Sequence, residues 1–327
     1  RFENNRSLNY DLLEGESGTL EFEHAIIATG SESARIPQFD LNSDRLLDAT
    51  SALELNRIPK KLLVIGGGYI GLELGTVYAA LGSQVTVVEM TAGLLPGADK
   101  DLVRTLQKRL ATRIKDILLQ TTVTSLKVQK NGVKVTLDGP KADHKARLFD
   151  HILLAVGRRP NSAGLGLSNT AVEVDDQGFI KVDSQRRTAE DNIFAIGDVV
   201  STPLLAHVAS KEGEIAVEHI AGKNPEPGVD LNAIPSAIYC EPQVASFGLR
   251  ENQAMAQDTL QLEDLLKKVG VGLEVLKSGE FKDIGSPHRK MTERDKELIK
   301  DLISDIQKQF VNAVAMGRDI SEEKVHE

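Results

Sequence analysis

Cysteine is nearly absent from this sequence: Cys240 is the only one in 327 residues. A single thiol can neither close an intramolecular disulfide nor build a cysteine metal cluster, so within these residues a disulfide scaffold and a thiolate zinc site are both excluded. A reducing, cytoplasmic setting is the expectation. Also missing is any apolar run near the roughly 20 residues that a membrane-spanning helix requires, and no low-complexity tract interrupts the chain. There is no basic stripe either. The net charge of -9 comes from acids and bases mixed along the whole length, which argues against a nucleic-acid groove. The first residue is Arg1 rather than methionine, so the start of the gene product, with any targeting peptide, is expected upstream. What remains is globular in composition, 41% hydrophobic and 27% charged, and long enough for about two domains.

Glycine, by contrast, is concentrated where it carries meaning. Leu62-Leu63-Val64-Ile65 is a short run of strand formers, followed at once by Gly66-Gly67-Gly68-Tyr69-Ile70-Gly71 and an amphipathic stretch to Leu81. The order predicts strand, turn and helix. Gly66 permits the tight turn, Gly68 lets the backbone approach a pyrophosphate, and Gly71 allows the helix to pack closely on the strand. Phosphates then sit at the helix N-terminus, where unpaired N–H groups and the helix dipole attract negative charge. Gly82 ends the helix, and Gln84 to Glu89 reads as a second strand ending in a carboxylate about 20 residues past the glycines, the adenosine ribose position. A carboxylate there accepts from ribose hydroxyls and repels a 2'-phosphate, and neither Met90 nor Thr91 supplies the arginine an NADP site would want. NAD is therefore the expected ligand. The alternative for the same glycines is a turn kept only for packing.

Further motifs follow in order: Ala25 to Ser31 (AIIATGS), Leu72-Glu73-Leu74-Gly75, Ala155 to Asn161 (AVGRRPN), Ile193 to Asp198 (IFAIGD), Leu205-Ala206-His207 and Ile234-Pro235-Ser236. With these, residues 1 to about 257 closely resemble the dihydrolipoyl dehydrogenases of the pyridine nucleotide-disulfide oxidoreductase family. The resemblance implies an α/β fold, in which a Rossmann-like NAD-binding domain with a parallel sheet (51–157) is inserted in a partial FAD-binding domain (1–50 and 158–231). The start of a dimerisation domain would follow (232–257), then a separate helix-rich α/β tail (258–327). It implies FAD beside NAD, a lipoamide-bearing protein as partner, and a homodimer in the intact family.

The same resemblance assigns roles residue by residue. Thr29, Gly30, Gly197 and Asp198 fall on the flavin side; a strand ending in Gly197-Asp198 places an acid where it can bind ribityl hydroxyls, while glycine gives the cofactor room. Without the resemblance, Asp198 reads as a strand-end turn residue. Leu204 to Ala221 reads as a helix whose start, Ala206 and His207, would aim N–H groups at the flavin pyrimidine edge; His207 alone could equally be a helix-start residue. Tyr69 matches a position over the nicotinamide pocket, Glu73 one that pairs with a lysine, and Gly157 one on the nicotinamide side of NAD. The bland readings are a packed aromatic for Tyr69 and an exposed helix acid for Glu73.

The family's redox disulfide, its amino-terminal FAD glycine motif and its catalytic His-Glu pair do not occur in these residues, so flavin is expected to be held weakly and the surviving capacity to be NAD binding. Cys240, in a strand expected around Ile234 to Leu249, reads as a small packed residue. From about Asp258 the chain resembles another family, the serine-lysine signal peptide peptidases, through Leu276 to Pro287 (LKSGEFKDIGSP). Lys282 matches that family's general base, without its serine; otherwise it is a solvated loop lysine. Thr292 and Asp295 read as a capping box for a helix with Leu298, Leu302, Ile306, Phe310 and Val314 on one face and Gly317 as its stop. The join suggests a chimeric gene model. Three functions are thus weighed: an NAD-binding fragment of a flavoprotein oxidoreductase, a serine-lysine peptidase, and a non-catalytic NAD-binding module.

Overall fold

The structure is a computed structural model that describes residues 1–12, 15–142, 146–223 and 228–250, together with residue 253 and part of 292–311. Lys282, the segment Leu276 to Pro287, Asp295, the apolar face from Leu298 to Val314 and Gly317 lie outside the described residues. The chain divides into two compact units, residues 1–96 with 107–231, and residues 97–106 with 232–327.

The first unit begins with an antiparallel hairpin, β1 (Ser7–Asp11) and β2 (Ser17–Glu21), then β3 (Ala25–Ile27), β4 (Ser31–Ser33) and β5 (Leu46–Leu47). Helix α1 (Ala49–Leu53) follows, opened by a capping box in which Asp48 Oδ1 accepts from the Ser51 N–H at 2.8 Å. Next come β6 (Lys61–Ile65), α2 (Tyr69–Ala80), β7 (Gln84–Val88), α3 (Lys100–Leu110, which crosses the unit boundary) and β8 (Asp116–Leu118). An antiparallel meander, β9 (Thr122–Gln129), β10 (Gly132–Asp138) and β11 (Arg147–Phe149), leads to β12 (His151–Leu154). The unit ends with β13 (Arg158–Pro160), β14 (Ile193–Ala195) and α4 (Ala206–Ile220).

Five strands form one parallel sheet in the order β5-β12-β6-β7-β8. Its central strands read as continuous apolar runs because both faces are covered: Leu62, Leu63, Val64, Val85 and Val87 are all fully buried. On one face Leu63, Ile65, Val88 and Ile152 join Val133, Val135, Leu137 and Phe149 of the meander in a single core cluster. On the other lies α2, where Gly75 brings the helix backbone close enough that a Cβ would stand 3.5 Å from a Val64 methyl. Tyr78 ties α2 to α1, its hydroxyl donating to the Ala52 carbonyl at 2.7 Å.

The remainder of the first unit holds a smaller parallel pair, β3 with β14, and an antiparallel pair, β4 with β13. Phe2, Ile27, Ile180, Ile193 and Val199 make up most of its own core cluster. No helix among the described residues is long and apolar enough to cross a membrane.

In the second unit, β15 (Ser236–Ile238) and β16 (Val244–Ser246) pair antiparallel. One continuous strand from Ile234 to Leu249 does not form. Pro242 offers no N–H to a ladder, and Cys240 sits in the turn between the two short strands, 4% exposed. It is a packed residue as expected, though not a strand residue. The Lys296 N–H donates to the Thr292 carbonyl at 3.1 Å, so a helix begins after Thr292.

Candidate functional site

The strand, turn and helix form where the glycines foretell. β6 ends at Ile65, Gly66 has φ +111°, Gly68 is the N-cap of α2, and Gly82 at φ +100° closes the helix. Each glycine has its own reason. A Cβ on Gly66 would stand 2.2 Å from the Ala155 carbonyl oxygen, and one on Gly71 2.3 Å from the Gly66 carbonyl oxygen, so neither position tolerates a side chain. At Gly68 a Cβ would meet nothing within 4 Å; the backbone there faces open space that a ligand can enter. The first turn of α2 carries no acidic residue to compete for its outward N–H groups.

Glu89 stands one residue past β7 and is 7% exposed. Its Oε2 accepts from the Gly67 N–H at 2.7 Å and its Oε1 from the Thr91 N–H, also at 2.7 Å. The carboxylate is thus bolted to the glycine turn, with a second lone pair on each oxygen left for further donors.

These elements border a cavity of about 710 Å3 at the carboxyl ends of β7, β6 and β12. Strand order reverses between β6 and β12, since the chain runs from β6 out to β7 and β8 before returning to β12. Open parallel sheets bind ligands at such a switch point. Gly66, Gly68, Tyr69, Ile70, Glu89 and Gly157 all line the cavity. Gly71 lies beneath it in the strand–helix contact, and Glu73 one turn further along α2 does not line it. Met90, Thr91 and Thr121 to Val123 surround the Glu89 end, and Ala155 to Arg158 with Leu204 the other. Tyr69 is 41% exposed. Burial pushes its phenol above the usual range; Arg158 opposes the rise, while Asp198 and Glu73 reinforce it.

The residues expected on the flavin side cluster at the carboxyl ends of β3 and β14. The Thr29 hydroxyl donates to the Asn161 carbonyl at 2.8 Å, and the Asn161 amide returns a bond to the Thr29 carbonyl at 3.0 Å. Gly30 and Gly197 adopt φ +68° and +70°, and a Cβ on Gly30 would meet nothing within 4 Å. The Ser31 hydroxyl donates to Asp198 Oδ2 at 2.6 Å and accepts from Arg158 Nε at 2.6 Å, while Arg158 Nη2 donates to the Ser31 carbonyl at 2.7 Å. Arg158 Nε lies 3.6 Å from the Asp198 carboxylate. Ala206 and His207 form the first turn of α4.

Sequence reasoning passed over three residues here. Arg158 falls inside the AVGRRPN motif, but its hydrogen-bond partner, Ser31, is 127 residues away in sequence. Glu212, fully buried on α4, accepts from the Gly197 N–H at 2.6 Å and from Arg186 Nη1 at 3.1 Å. Arg186 itself is 7% exposed with φ +66°. The buried ion pair therefore holds α4 against the Gly197–Asp198 turn. A charged residue on the inner face of an otherwise amphipathic helix was the available signal.

A glycine turn at the switch point of an open parallel sheet defines a nucleotide-binding α/β protein of Rossmann type. Within that class, the chain belongs to the pyridine nucleotide-disulphide oxidoreductase family, whose model matches residues 2–213. The family implies use of FAD and NAD(P). Among curated relatives, dihydrolipoyl dehydrogenase of Vibrio parahaemolyticus is 44% identical over 244 residues, covering 75% of this chain and 51% of the relative. That of Bacillus subtilis is 43% identical over 243 residues, 74% of this chain and 51% of the relative. The chain spans about half the length of the curated relatives it matches. Among solved structures, LpdA from Mycobacterium tuberculosis superposes with a TM-score of 0.71 at 26% identity, over 81% of this chain and 58% of that one. The HOCl-induced flavoprotein disulfide reductase RclA from Escherichia coli gives a TM-score of 0.70 at 28% identity, over 78% and 57%. Residues 244–327 match the model of peptidase family S49.

Proposed function

We propose that this chain binds NAD in preference to NADP across the cavity from Glu89 to Arg158, and that it furnishes one side of a flavin site for hydride exchange of the dihydrolipoyl dehydrogenase kind. The observation that carries the reading is Glu89, a buried carboxylate locked to the glycine turn and lining the cavity beside the open backbone of Gly68. Its spare lone pairs accept from ribose hydroxyls, and its charge opposes a 2'-phosphate. The N–H groups opening α2 take the pyrophosphate. Tyr69, Gly157 and Arg158 border the nicotinamide half.

On the flavin side, the open space at Gly30 and the pinned Asp198 carboxylate fit a ribityl chain, and Ala206 with His207 present the α4 N-terminus to it. Bound flavin supplies reversible two-electron chemistry to a bound nicotinamide. The chain's own residues orient both groups and exclude water between them. A dithiol relay is not assigned to these residues, whose only cysteine is the buried Cys240. A lipoamide-bearing protein as partner and a homodimeric assembly belong to the same proposal.

Fluorescence titration of the full chain with NADH and NADPH tests the nucleotide reading. Wild type should prefer NADH, and Glu89→Ala should weaken NADH about tenfold more than NADPH, because NADPH escapes a repulsion as NADH loses an acceptor. Equal losses for the two nucleotides would sink it. A serine-lysine peptidase is favoured only by the match of residues 244–327; labelling of the chain by a serine-directed fluorophosphonate would establish that second reading.

A further inference from the structure

We infer that Arg158 makes the cavity sensitive to the redox state of its nucleotide, favouring the neutral reduced nicotinamide ring over the cationic oxidised one. The inference rests on the NAD reading above. Of the described residues lining the 710 Å3 cavity, two carry charge, Glu89 and Arg158. They stand beyond the ends of β7 and β12, strands that flank β6 on opposite sides and so run two strand spacings, about 10 Å, apart. A dinucleotide anchored by its adenosine ribose at Glu89, with its pyrophosphate at the α2 N-terminus, has its other half directed to the Arg158 end.

The guanidinium there is held rather than free to swing. Nε and Nη2 are engaged by the Ser31 hydroxyl and carbonyl at 2.6 and 2.7 Å, and the side chain is 26% exposed. Two bonds fix its plane and leave the Nη1 donors for a ligand. Asp198, 3.6 Å from Nε, offsets part of the positive charge but does not itself line the cavity. Facing the nicotinamide half, then, is a fixed cation; among the described lining residues Glu89 is the one carboxylate, and Asp198 and Glu73, whose charges reach Tyr69, stand outside the lining. NAD+ brings a positive ring to that end and NADH a neutral one, while both bring the same pyrophosphate and adenosine. Their difference in affinity isolates the ring charge.

The test titrates the full chain with NADH, NAD+ and ADP-ribose, which lacks the ring. Wild type should bind NADH roughly three- to tenfold more tightly than NAD+, as expected for like charges several ångströms apart in a partly solvated site. Raising ionic strength from about 0.05 to about 0.5 M should shrink that ratio. Arg158→Met should bring it close to unity while changing NADH and ADP-ribose affinity by the same factor, the loss common to their shared pyrophosphate, whereas Arg158→Lys, which keeps the charge, should retain a preference. If Arg158→Met does not fold, the wild-type ratio and its salt dependence decide. A wild-type ratio at or below one, a ratio insensitive to salt, or an unchanged ratio in Arg158→Met overturns the inference. Failure of the wild type to bind both NADH and ADP-ribose instead overturns the nucleotide reading itself, and the inference with it.

Discussion

The two halves of the first unit reach the same kind of endpoint, a glycine turn beyond a parallel strand, by different physical means. On the nucleotide side, Gly66 follows β6 in the middle of a five-stranded sheet whose faces are both covered. On the side proposed for flavin, Gly197 follows β14 in a parallel pair, and Ile26 within its partner strand β3 is 36% exposed. Parallel strands ordinarily occur with both faces covered. Here the turn is secured instead by polar links: the Glu212 carboxylate on the Gly197 N–H, Arg186 on Glu212, and Ser31 with Arg158 on Asp198. Packing sets one site, and a small network of charges sets the other. The difference teaches where each should be fragile.

The largest effect is expected at the ion pair. Glu212→Ala strands the Arg186 guanidinium in a site where it is 8% exposed and removes the acceptor of the Gly197 N–H, a loss of about 3–5 kcal/mol. Hydrogen exchange should show β14 and the Gly197 turn losing protection while β6 amides keep theirs, with NADH affinity little changed. Simultaneous loss in both sheets would erase the distinction between the halves. Next is Gly66→Ala, where a Cβ overlaps the Ala155 carbonyl and φ is +111°. It should cost about 3 kcal/mol in chemical denaturation and abolish NADH binding, the reverse pattern to Glu212→Ala. The smallest concerns His151 at the start of β12, whose Nδ1 is buried without a partner among the described residues. Burial, then Arg45, hold its pKa below the usual histidine value. Because the folded pKa is the lower one, the neutral ring favours folding above the unfolded pKa, and this benefit fades as pH falls through it. His151→Gln should therefore flatten the decline in stability below about pH 6.5 slightly, as followed by thermal melts across pH.

The nucleotide half was largely legible in the sequence because its information is local. Strand, turn, helix and second strand occupy residues 61–88 without interruption, and the observed ends of β6, α2 and β7 fall within a residue or so of the expected ones. α4 was equally readable, Ala206–Ile220 against an expected Leu204 to Ala221. What periodicity could not supply was contact between distant positions. Ser31 meets Asp198 across 167 residues of sequence, and Arg158 meets Ser31 across 127. No spacing rule links those residues, so Asp198 could be singled out while the two groups that hold it could not. The strand expected from Ile234 to Leu249 failed for a local reason that was visible, Pro242, whose missing N–H divides it into β15 and β16.

The bonds from Gly67 and Thr91 to Glu89 also bear on redesign. Switching a Rossmann site toward a phosphorylated ribose ordinarily begins by exchanging the acid after the second strand, as though it were an interchangeable label. On the NAD reading proposed above that acid is Glu89, and it is also a latch: it accepts from two backbone donors where it is 7% exposed. A small neutral replacement removes the repulsion and opens the latch in one stroke, leaving the Gly67 N–H without its acceptor. Any lineage or designer converting this pocket must therefore re-brace the loop first, and the route to new cofactor choice runs through at least two changes made in order.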